Sequence, residues 1–168
     1  RSGGNCSAVP TGSWDTPEII SSLGVSASTT GIALGAVGGR EYVFVSANPE
    51  SESGNDLFVV DVTETAAPQL VASVSTGPGL SDIAYAGGYI FAAQDSSEDQ
   101  LQIIDVLDPG SPSVVVESTL DEVDPGGSYP AGFSVAYYDG RAYVGTKETA
   151  GPEFHVFDVN DPTNPVHL

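Results

Sequence analysis

Three stretches decide the reading of this chain: Asp56-Leu-Phe-Val-Val-Asp-Val62, Gln100-Leu-Gln-Ile-Ile-Asp-Val106 and Glu153-Phe-His-Val-Phe-Asp-Val159. Each is a short apolar run closing on an Asp, and each Asp is followed seven positions later by a proline: Asp61 by Pro68, Asp105 by Pro112, Asp158 by Pro165. A fixed offset met three times marks an internal repeat, and the repeat governs every other inference. β-Branched runs follow the first two prolines, over Gln69-Leu-Val-Ala-Ser-Val74 and Ser113-Val-Val-Val-Glu-Ser118. Upstream lie hairpins whose turns carry Gly38-Gly39, Gly87-Gly88 or Asp139-Gly140, residues that supply the positive φ of a tight β-turn.

Each unit therefore reads as four strands. The first covers residues 32–37, 83–86 or 135–138, and the second 42–46, 89–93 or 142–146. The third carries the Asp, and the fourth follows the Pro. Successive repeat Asp residues lie 44 and then 53 positions apart, the excess coming mainly from the insertion Asp121-Glu-Val-Asp-Pro-Gly-Gly-Ser-Tyr-Pro130. Four short antiparallel strands every 40–50 residues are the arithmetic of a propeller blade. The fold class expected is all-β, a β-propeller or partial propeller with three complete repeats over 32–80, 81–131 and 132–168. An orphan fourth strand is expected at 17–23 within 14–31, after a flexible start over 1–13. A blade buries each face on a neighbour and is unstable alone, so the units need one another.

The repeat Asp is read as structural. It opens a turn in which its carboxylate can accept backbone N–H groups, while the Pro stiffens entry into the fourth strand at a place where no ladder donor is needed.

The pattern of apolar residues, Ile/Val, Asp and Val with Pro seven after the Asp resembles the LVIVD repeat family. Leu57 to Val62, Leu101 to Val106 and Phe154 to Val159 carry it, and the resemblance spans positions 14 to 168. It implies a β-propeller and a place among bacterial and archaeal surface or secreted proteins, some attached to pilin-like segments or cell-surface anchors. It implies no catalytic residue. Three complete units fall short of the four or more blades of a closed propeller, so the ring is expected to be completed by further chain, by strands of other subunits, or by the 17–23 strand closing on the last blade or pairing with a neighbouring molecule.

Composition narrows the partners. The chain has 168 residues, enough for one domain with a sizeable core, and 40 % of them are hydrophobic. Twenty-three acidic residues against four basic ones give a net charge of −19. Such a field repels nucleic-acid phosphates and anionic headgroups, so neither is expected as a partner. No apolar run approaches the length of a membrane helix, and none marks a secretory leader. Cys6, the only cysteine, excludes an intrachain disulfide, and Asn5-Cys6-Ser7 fits a glycosylation acceptor.

No catalytic, cofactor or metal residue is assigned. Asp95–Asp99, Asp121–Asp124 and Asp158–Asp161 offer oxygen donors of the kind calcium takes, but none fits an EF-hand loop. His155 lies in a strand where the other repeats have Phe58 and Gln102, which argues against a ligand role for it or for His167. There is no Gly-x-Ser-x-Gly elbow, and Gly35-Ala-Val-Gly-Gly39 lacks the Lys-Ser/Thr of a phosphate loop. Tyr42, Tyr89 and Tyr143 are read as equivalent packing residues, whereas Trp14 and Tyr129 stand outside the repeat and are the better candidates for stacking on a glycan. The expectation is a non-enzymatic cell-surface or extracellular module for structure, self-assembly or adhesion, with itself or other surface proteins as partners. The alternatives are a carbohydrate-binding or carbohydrate-active propeller and a calcium-stabilised surface-layer subunit.

Overall fold

The structure is a computed structural model that describes residues 18–49, 53–96, 99–118, 120, 131–148 and 151–168. Trp14, Cys6, Tyr129 and the Asp121–Asp124 insertion lie outside them. The described residues form twelve strands and no helix. The first blade is β1 (Ser28–Val37), β2 (Arg40–Asn48), β3 (Leu57–Asp61) and β4 (Gln69–Val74). The second is β5 (Leu80–Ala86), β6 (Tyr89–Gln94), β7 (Leu101–Asp105) and β8 (Ser113–Ser118). The third is β9 (Gly132–Tyr138), β10 (Arg141–Thr146), β11 (Phe154–Asp158) and β12 (Val166–His167). Each blade is an antiparallel meander with strands in chain order, as the repeat implies.

The first strand of each blade is innermost: β5 packs on β1 at one side and on β9 at the other. Both faces of the second blade are therefore covered. One core joins Ala33, Phe44 and Leu57 of the first blade to Ile83, Ile90 and Ile104 of the second. Another joins Phe91, Leu101 and Ile103 of the second to Val135, Val144 and Phe157 of the third. The alternation of side chains along a strand sends neighbouring residues such as Ile103 and Ile104 to opposite cores, which is why these strands read as continuous apolar runs.

Register fixes the equivalences. Asp61, Asp105 and Asp158 pair with Tyr42, Tyr89 and Arg141 respectively. Tyr143 is thus the counterpart of Phe44 and Phe91, not of Tyr42 and Tyr89 as the hairpin sequences suggest. The first hairpin is longer by two residues on each arm, and this moves its aromatic out of step. Each repeat Asp accepts the amide two residues on, through Thr63 N at 2.9 Å, Leu107 N at 2.8 Å and Asn160 N at 3.1 Å. These are Asx turns, and the structural reading of the Asp holds.

The expected N-terminal strand is not formed. Residues 18–25 carry no ladder pairing, and Pro17 lies outside the described residues. The place of a fourth strand is not open to it, because β3, β7 and β11 each already pair with a fourth strand of their own. The segment instead lies across the outward face of the first blade, where Ile19 and Ile20 line a groove with Leu34 and Val43. Ser21 Oγ donates to Thr65 O at 2.7 Å.

Candidate functional site

Two regions of the stack could carry function: its loop end, where second strands finish and first strands begin, and the two outward blade faces. The loop end is built by equivalent positions. Ala47, Gln94 and Thr146 donate their amides to Asp56, Gln100 and Glu153 across the loop that joins strands two and three. The next residue in each blade is Asn48, Asp95 or Lys147. These three side chains meet: Asn48 Nδ2 donates to Asp95 Oδ2 at 3.3 Å, and Lys147 Nζ pairs with Asp95 Oδ1 at 2.6 Å. One polar chain therefore crosses all three blades. Nothing in the repeat motif signals it, because the loop lengths differ and place the three residues at different offsets from the repeat Asp.

Beneath it, Asp82 ties the inner strands together. Its Oδ2 accepts Val135 N of the third blade at 3.0 Å, and its Oδ1 lies where a Cβ on Gly31 of the first blade would meet it. Asp56 is fully buried and accepts both the amide and the hydroxyl of Thr76. Burial pushes its carboxyl above the ordinary range, opposed by those bonds from Thr76. Hydrogen bonds from Thr63, Asn160 and Thr163 hold Asp61, Asp158 and Asp161 below that range.

The histidines of the sequence do come together. His155 Nδ1 lies 3.3 Å from His167 Nε2, and its Nε2 lies 2.9 Å from Pro152 O. A ring that donates to a carbonyl on one side and accepts from a second imidazole on the other is engaged at both nitrogens. Among the described residues no three His, Cys, Asp or Glu side chains converge as a metal site. Asp95 is engaged by Lys147, and Asp158 and Asp161 by their own turns.

The outward faces are apolar. On the first blade Ile32 and Leu34 are 63 % and 72 % exposed, and on the third Tyr138 and Phe154 are 73 % and 65 % exposed. Phe154 stacks on Tyr143 with ring centroids 6.2 Å apart. The series of blades is open, since the first and third do not pack on each other. Sequence reasoning missed both surfaces, because which blade face lacks a neighbour is a property of the arrangement and not of the motif.

A family model matches residues 12–167 of this architecture, nearly the whole chain. The chain belongs to the DUF6923 family. That family is described as a repeat of unknown function, in keeping with the three blades. No curated protein matches the chain. Among solved structures, the computationally designed Ika4 protein is similar, with a TM-score of 0.58 at 15 % identity over 90 % of this chain and 78 % of that one. At that identity the likeness concerns fold alone.

Proposed function

We propose that this DUF6923 chain is a non-enzymatic module that works through its surfaces outside the cell, in structure, self-assembly or adhesion. The observation that carries the proposal is the pair of outward apolar faces at the two ends of an open series of blades. Large apolar patches on a folded protein mark sites of association. The resemblance to LVIVD repeats, whose members include surface and secreted proteins, supports placing it at the cell exterior. So does the charge of −19, which keeps an exposed protein soluble and away from nucleic acid. At the loop end the polar side chains are engaged with one another, which favours a scaffold over a reaction centre.

The test is the solution mass of the purified chain by light scattering across a concentration series, with and without millimolar calcium. A defined oligomer or a filament supports the module. A single-chain mass up to the solubility limit counts against self-assembly, and a calcium-dependent gain in melting temperature would favour the calcium-stabilised subunit.

A further inference from the structure

We propose that a second copy of this chain docks head to tail on the open end of the first. The second copy's first blade then meets the third blade of the first copy as β5–β8 meet β1–β4. This inference rests on the self-assembly reading and names its partner and register.

Two interfaces already made within the chain supply the geometry. In the first, Phe44 of one blade stacks on Tyr85 of the next with centroids 5.2 Å apart. In the second, the equivalent Phe91 stacks on Tyr137 at 5.1 Å. The same two positions recur on the outward faces: Tyr143 is the counterpart of Phe44 and Phe91, and Leu34 that of Tyr85 and Tyr137. The third blade's outward face is therefore the kind that receives a following blade. The first blade's outward face is the kind that is received.

Burial makes the comparison quantitative. Leu57 and Leu101 are fully buried at 0 % exposure under the next blade, whereas their counterpart Phe154 is 65 % exposed. Ile83 and Val135 are 5 % and 8 % exposed against the preceding blade, whereas their counterpart Ile32 is 63 % exposed. An aromatic and aliphatic surface thus awaits its complement at one end, and the complement stands bare at the other. The polar chain at the loop end matches as well. Asn48, Asp95 and Lys147 are linked in series across blade boundaries, and the residue that would follow Lys147 in a docked copy is Asn48, whose amide oxygen can accept from an ammonium. Residues 18–25 cover part of the first blade's outward face, the face that is received, but leave Ile32 and Leu34 exposed, and Ile19 and Ile20 must move aside from their groove as the copy seats.

Such a contact is heterologous, using different patches on the two copies, so it propagates into a ring or a filament. The experiment uses the 168-residue chain and two variants, Ile32→Asp and Phe154→Asp, at positions exposed enough that folding is retained, which circular dichroism verifies. Wild type is expected to associate with rising concentration, and each variant alone to lose affinity by about 100-fold or more. An equimolar mixture of the two variants regains one intact contact and is expected to give a two-chain species that grows no further. Association that both variants retain, or a mixture that stays single-chain, overturns the head-to-tail register while leaving self-assembly standing. A wild-type chain that never associates overturns both.

Discussion

Asp56 Oδ1 accepts the amide of Thr76 at 2.8 Å, and Gln100 Oε1 accepts the amide of Leu120, also twenty residues on, at 2.7 Å. Two different side chains thus do the same work at the same place in successive blades. Each holds down the chain as it leaves the fourth strand and heads for the next blade. The position precedes the third strand, where a buried acceptor meets an amide that no ladder bond satisfies.

Replacing Asp56 by Ala leaves that amide and the Thr76 hydroxyl buried without a partner, and is expected to cost about 1–3 kcal/mol in urea denaturation. Asp56→Asn keeps an acceptor and should cost less. Because burial raises the carboxyl's pKa above 3.8, its neutral form favours the fold, and that contribution is lost as pH rises through the raised value. Wild type should accordingly gain on Asp56→Asn as pH falls from 7 toward 4. A difference that does not change with pH would contradict the assignment.

Asp61, Asp158 and Asp161 behave in the opposite sense. Their carboxyls sit below 3.8 because the turns donate to the ionised form. The stability they contribute is present above 3.8 and disappears as pH falls through the lowered values. The melting temperature of wild type should drop more between pH 5 and pH 2.5 than that of a triple Asp→Asn variant at these positions. In the second blade, Asp105→Ala loses the bond from Leu107 and should cost about 0.5–1.5 kcal/mol.

Gly35 makes room for a ring. A Cβ there would lie 2.3 Å from Tyr85 Cε1, and Tyr85 Oη donates to Ala36 O at 2.9 Å. Gly35→Ala should destabilise by about 1–3 kcal/mol through overpacking between the first two blades. Adding Tyr85→Leu should recover part of that loss in a double-mutant cycle. Additive losses would show that the ring is not what the glycine accommodates.

Lys147 is half exposed in its pair with Asp95. Lys147→Ala is expected to shift the single-chain stability by about 0–1 kcal/mol, and less in high salt. A larger loss would mean that the pair is screened from solvent more than its geometry indicates.

Much of this fold is legible in the sequence. The Asp–Pro offset located every third strand, and the glycine turns located the hairpins, because both rest on local backbone chemistry that a motif records. The Asx role of Asp61, Asp105 and Asp158 followed from the same chemistry. Tyr143 falls out of line with Tyr42 and Tyr89 because hairpin length is set by pairing, which the similar Gly39-Arg-Glu-Tyr-Val43 and Gly140-Arg-Ala-Tyr-Val144 conceal. The segment over residues 17–23 looks like a fourth strand by composition, yet each blade already holds a fourth strand of its own, and composition does not report which places are filled. The meeting of Asn48, Asp95 and Lys147 and the bare state of Ile32 and Phe154 are tertiary facts with no local signature.

The two cores lie back to back on one sheet and share no side chain: Ile104 belongs to one and its neighbour Ile103 to the other. Among the described residues, the central blade is consequently the only one with a blade packed on both of its faces. Hydrogen exchange should proceed from the ends toward β5–β7, with the outer blades opening separately. A substitution that loosens the contact with the first blade need not be felt by the third. The chain can therefore vary its two internal seams independently, and can fray at one end while the other keeps its grip.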